Sequence, residues 1–183
     1  MFKLEKPIAA NLHSITNRVE KHGEDKARAV SFGLRITSAN TILDTLSPSL
    51  RLTLYHAAPG QKSIDGVEET TPLLNCSKIE AVAITGCFEG WTLTIDHGID
   101  EHDPIVFGAC KVDQFRCFPK EGGSVELALR VGTSDVDADR LGIVGMKLGE
   151  LISITLLPPL KSEAPTSARG DDPGALFEED NEK

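Results

Sequence analysis

The densest gathering of groups able to do chemistry is the run Asp96-His97-Gly98-Ile99-Asp100-Glu101-His102-Asp103. Imidazole and carboxylate ligate hard or borderline divalent cations, which makes His97, His102 and Asp103 the candidate metal residues. The His97-x₄-His102 spacing matches no recurring metal motif, and Gly98 and Pro104 give the run the composition of a polar turn after a strand. The expectation is therefore a solvated turn, with no metal and no cofactor. Cys76, Cys87, Cys110 and Cys117 lack the C-x₂₋₄-C spacing of a zinc knuckle and read as reduced thiols acting as small hydrophobes. The sequence has no G-x-S-x-G elbow, no Walker loop and no G-x-G-x-x-G after a strand. It is not expected to be an enzyme.

A second chemistry, binding of single-stranded nucleic acid, needs cations along a backbone and aromatic faces for unpaired bases. Arg28, Arg35 and Arg51 are expected on outward strand positions as one basic face. Arg116, Phe118 and Lys120 share a strand parity, which sets an aromatic between two cations. Tyr55 lies on the polar parity of its run and is expected to face outward. Trp91 shares parity with Leu93 and Ile95 and is expected in the core.

The elements that must position these residues are mostly strands. Period-two alternation runs through Val30–Ile36, Leu50–Tyr55, Trp91–Ile95, Val125–Val131 and Ile152–Leu156. Weaker candidates are Ile79–Ile84, Ile105–Phe107 and Val112–Phe118, and Glu121-Gly122-Gly123 supplies a hairpin turn. His22-Gly23-Glu24-Asp25 reads as a loop before the first clear strand. Apolar residues at three- and four-residue spacing from Asp137 to Leu148 predict a short helix capped by Asp137. A second short helix or turn is expected over Asn40–Leu46. The fold class is mainly β: a β-sandwich or partly open, OB-like barrel of about eight short strands with one short helix.

The chain of 183 residues carries 19 basic and 28 acidic residues, a net charge of −9, and divides into a β-rich body over 1–160 and a tail over 161–183. The tail is expected to be disordered, because its Pro/Gly-rich, acidic composition offers little apolar surface to offset ordering. It holds 3 basic and 7 acidic residues, while residues 1–55 hold 8 basic and 5 acidic and residues 56–107 hold 2 and 9. The acidity is thus concentrated in the middle and the tail, beside a basic N-terminal third. No apolar stretch approaches the roughly 18 residues of a membrane helix, and the charged start Met-Phe-Lys-Leu-Glu-Lys lacks the apolar core of a signal peptide. A cytoplasmic location without membrane attachment is expected.

Four segments carry a resemblance: His22-Gly23-Glu24-Asp25, Asn40-Thr41-Ile42-Leu43-Asp44 with Leu46-Ser47-Pro48-Ser49-Leu50-Arg51, Leu93-Thr94-Ile95-Asp96-His97-Gly98-Ile99, and Glu121-Gly122-Gly123-Ser124-Val125-Glu126-Leu127. Over residues 20–160 the chain resembles a family of small phage-encoded proteins without an established activity, which implies a phage or prophage context. The tail, with Phe177, Glu178, Glu179, Asp180 and Glu182, resembles the acidic tips of phage and bacterial single-stranded-DNA-binding proteins. That resemblance implies recruitment of replication or recombination proteins and competition with DNA for a basic groove. The leading expectation is a phage-type accessory protein of DNA metabolism that binds single-stranded DNA. The other is a non-enzymatic protein-binding module, a host-defence modulator or virion component, using the acidic surface of residues 56–107. Edge strands in such a fold also permit a homo-oligomer.

Overall fold

The computed structural model describes residues 2–22, 25–58, 72–96 and 104–159. Six antiparallel strands close a barrel: β1 (Leu4–His22), β2 (Asp25–Ala39), β5 (Val82–Asp96), β6 (Ile105–Lys120), β7 (Ser124–Thr133) and β8 (Leu151–Leu157). Their order around the barrel is β1-β2-β7-β6-β5-β8, with β8 pairing back onto β1. A separate two-stranded ladder joins β3 (Tyr55–His56) to β4 (Leu73–Leu74). Three short helices, α1 (Ile42–Leu46), α2 (Leu50–Leu54) and α3 (Ala138–Gly145), complete the described elements. The mainly β fold expected from alternation is present, as a closed barrel.

Alternation places one side-chain set inside. Phe32, Leu34, Ile36, Trp91, Leu93, Phe107, Phe115, Leu127 and Leu129 fill the lumen and are almost wholly buried. Phe2 reaches the same core and stacks on Trp91 and edge-on to Phe115, with centroids 6.1 and 5.2 Å apart. Two strands are longer than their sequence signals because bulges let them change direction without ending. Ile79–Ile84 and Trp91–Ile95 read as separate runs, yet residues from Val82 onward join the second run in β5 across register shifts between Ile84 and Cys87 and between Phe88 and Trp91. Ile105–Phe107 and Val112–Phe118 likewise join as β6, with Ala109 at φ +48° and Gln114 at φ +55°.

Two expectations are corrected. Leu50–Leu54 is helix α2, not strand; Leu50 and Leu54, four apart, turn toward the core while Leu52 between them is 64% exposed, the pattern of a single helical turn after Pro48. Leu4–His22 is a strand, although the sequence places the first clear strand after His22-Gly23-Glu24-Asp25. Past Leu12 its residues are largely polar and exposed, so alternation is weak, and His22 pairs directly with Asp25.

Each barrel end is covered. At one end Tyr55 is buried, its hydroxyl donating to Ser124 O at 2.6 Å and accepting from Lys120 N at 3.1 Å. At the other, α3 is capped by Asp137, whose carboxylate accepts from Arg140 N at 2.7 Å. The Glu121-Gly122-Gly123 turn joins β6 to β7, with both glycines at positive φ (+82° and +77°). All four cysteines are free thiols, and burial pushes Cys117 up to about 11. No helix among the described residues is long and apolar enough to cross a membrane.

Candidate nucleic-acid interface

Strand register brings distant cations to one place. Arg35 on β2 stands opposite Ala128 on β7, and Ala128 stands opposite Arg116 on β6. Residues directly opposite in adjacent strands share a face, so all three lie on the outside of the barrel. Two residues further along β7, Arg130 is opposite Gly33 on one side and Asp113 on the other. Arg35, Arg116, Ala128, Arg130 and Gly33, with His13 and Ser14 of β1 and Ala83 of β5, line an outer groove of about 550 Å³.

Ion pairs hold the walls. Arg130 makes a bidentate pair with Asp113, both N–O distances being 2.7 Å. Glu126 accepts from Arg35 at 2.9 Å and from Lys120 at 3.1 Å, one carboxylate between two cations. Arg35 also lies over the Phe118 ring, 5.7 Å from its centroid. Arg116 is exposed, with no ion pair or hydrogen bond to another described side chain. Counting Arg35, Arg116, Lys120 and Arg130 against Glu126 and Asp113, this face carries four positive and two negative charges.

His13 sits where the β1–β2 register shifts, between Leu12 and Ser14. Gly33 makes room for it: a Cβ there would stand 2.7 Å from the imidazole and overlap Ser14 Oγ. Desolvation, then the Arg35 charge, hold the His13 pKa below its ordinary value, against an opposing pull from Glu126.

The structure thus gathers Arg35, Arg116, Phe118 and Lys120 and separates the other residues expected with them. Arg28 is on the β1–β2 hairpin, lining a cavity of about 290 Å³ with Val136 and Leu141. Arg51 is on α2, paired with Asp44 at 2.9 Å. Arg28, Arg35 and Arg51 therefore do not form one face. Tyr55 is buried, not outward, because α2 ends just before it and turns its ring onto the barrel end. Phe118 is half-buried with Arg35 over it, so it is not the open aromatic face that its parity suggests. Comparison with protein-family models, curated proteins and solved structures finds no match for this chain.

His13 and Arg130 are absent from the sequence-derived candidates. Arg130 is legible as an outward position of β7, while its place beside Arg116 depends on long-range register. The candidate metal residues His97, His102 and Asp103, expected in a solvated turn without metal, lie outside the described residues, as do Phe177, Glu178, Glu179, Asp180 and Glu182 of the tail. Much of the acidic stretch 56–107 falls there too. Among the described residues no group of three or more His, Cys, Asp or Glu is placed to hold a metal ion.

Proposed function

We propose that this chain is a phage-type accessory protein of DNA metabolism that binds single-stranded DNA through the outer groove. The observation that supports it best is the register row Arg35–Ala128–Arg116, which sets two arginines on neighbouring strands either side of a small residue, with Arg130 and Lys120 on the same face. Guanidinium forks match phosphate oxygens and bind them bidentately. Phosphates carry this recognition, since Tyr55 and Trp91 are buried and Arg35 covers Phe118. Binding should then be weakly sequence-dependent and strongly salt-dependent. The acidic residues of 161–183 would supply contacts to replication or recombination proteins and compete with DNA for the groove.

The test is fluorescence anisotropy of a labelled single-stranded oligonucleotide with the full chain and with a chain ending at residue 160. The full chain should bind at low salt and weaken as salt rises, and removal of the tail should tighten binding. Failure of both proteins to bind at low salt would reject the reading.

A further inference from the structure

We infer that the groove contains a discrete seat for a phosphate monoester, centred above Ala128; this rests on the reading of the groove as a nucleic-acid site and specifies which part of the strand it takes. Ala128 is flanked across the sheet by Arg35 and Arg116, which two strand spacings set about 10 Å apart. Arg130 follows on the same face, about 7 Å along β7. Three arginines therefore neighbour a floor position whose side chain is a single methyl group, and all four residues line the groove.

The carboxylates nearby do not fill the seat. Asp113 is engaged on the flank of Arg130 by a bidentate pair, and Glu126 is held between Arg35 and Lys120. Arg116 has no such partner among the described residues. The seat thus offers one uncommitted guanidinium and two whose remaining donors are fixed in place.

That geometry suits a terminal phosphate better than an internal diester. A monoester presents three acceptor oxygens and a charge between about −1.5 and −2 near neutral pH, whereas a diester presents two free oxygens and a single charge. Arginines grouped around one position of the sheet match the former. Cations spaced along a strand, as Arg116 and Lys120 are on β6, match the diesters that follow it. The same chemistry is offered by a strand end or by a free nucleoside monophosphate.

The experiment uses the full chain and one oligonucleotide sequence prepared with a terminal phosphate or with hydroxyl ends, alongside a nucleoside monophosphate titrated by NMR. The phosphorylated strand should bind about tenfold tighter, the size of one added charge-assisted hydrogen bond. That advantage should vanish in Ala128→Glu, which places a carboxylate in the seat, and in Arg116→Ala, with circular dichroism unchanged in both. Equal binding of the two strands would overturn the seat and leave the groove reading standing. Binding of the monophosphate alone, abolished in Ala128→Glu, would support the seat and overturn the single-strand reading. No binding of any probe would overturn both.

Discussion

Two charged clusters sit on this barrel, one around Arg140 and one around Arg35, Arg116 and Arg130, and they differ in how completely the arginines are satisfied. At the α3 end, Arg140 donates to Asp137 and Asp135, the latter at 2.9 Å, and to Val106 O at 2.7 Å, and its guanidinium lies 5.3 Å from the Phe107 ring centroid. Its carboxylate partners are fixed in turn: Asp135 accepts from Gly108 N and Asp137 caps the helix. The Arg140 guanidinium holds Asp135 below the usual carboxylate range, with the Gly108 N–H acting in the same direction. In the outer groove, Arg35 and Arg130 each have one carboxylate partner and Arg116 has none among the described residues. A saturated arginine ties a helix to a barrel. An unsaturated one keeps donors for something else.

The largest expected effect separates these roles. Arg140→Ala should lower the melting temperature and loosen α3, while oligonucleotide binding at a temperature where the variant is folded stays at the parent value. The double variant Arg35→Ala/Arg116→Ala should do the reverse. Its binding should fall more than tenfold, and the slope of log affinity against log salt should shrink by about 0.7 for each phosphate no longer neutralised. Its melting temperature should barely move, because an exposed pair such as Arg35–Glu126 contributes about 0–1 kcal/mol. Thermal melts and salt-dependent anisotropy on both proteins decide the matter. If each variant shifts the same observable, the distinction between the clusters is false.

How far the two clusters are legible in sequence follows from the range of the interactions that build them. The α3 cluster is local: Asp137 three residues before Arg140 is a capping pattern, and the helix lies where that pattern places it. The groove depends on pairings between Arg35, Ala128 and Arg116 that span much of the chain, and no local rule fixes them. Parity tells which side of β6 carries Arg116 and Phe118, but not that β2 delivers Arg35 onto the Phe118 ring. Bulges are hidden for a related reason. Ala109 and Gln114 adopt positive φ without the glycine that marks such sites, so continuous β6 reads as two short strands. Leu50–Leu54 misleads because three leucines at alternate positions fit one turn of helix as well as a strand.

A smaller effect tests the groove wall. Gly33→Ala puts a methyl group into the space of the His13 ring and Ser14 Oγ, and both are side-chain ends able to rotate away. Alanine also restricts the unfolded chain, a gain of about 0.4–1 kcal/mol that offsets part of the crowding. The net stability change should therefore stay within about 1 kcal/mol. The site should respond more than the fold, with the His13 ring displaced and oligonucleotide binding weakened. NMR chemical shifts of His13, read beside a denaturant melt, check this. Loss of folding with no local change at His13 would show that the ring cannot yield and that Gly33 serves the barrel itself.

The smallest effect is the pH dependence of His13. Desolvation and the Arg35 charge keep its folded pKa below 6.5, the ordinary value, despite the Glu126 carboxylate nearby. In the unfolded chain the imidazole takes up a proton as pH falls through 6.5, while in the barrel it resists until a lower pH. The unfolded state therefore binds more protons in that interval, and stability must decline as pH drops below 6.5, levelling once the folded ring is also charged. His13→Gln should flatten that decline, and comparing it with the parent removes the contribution of the other histidines. Phosphate in the groove acts with the opposite sign. A phosphodiester anion beside the ring favours imidazolium, so the affinity for a hydroxyl-ended oligonucleotide should rise over the interval in which free-protein stability falls. Parallel denaturant and binding titrations from about pH 7.5 to about 5.5, spanning the ordinary imidazole range, would show the parent-minus-His13→Gln differences in stability and in affinity diverging. If they move together, His13 faces away from the ligand, and the groove is built by its arginines alone.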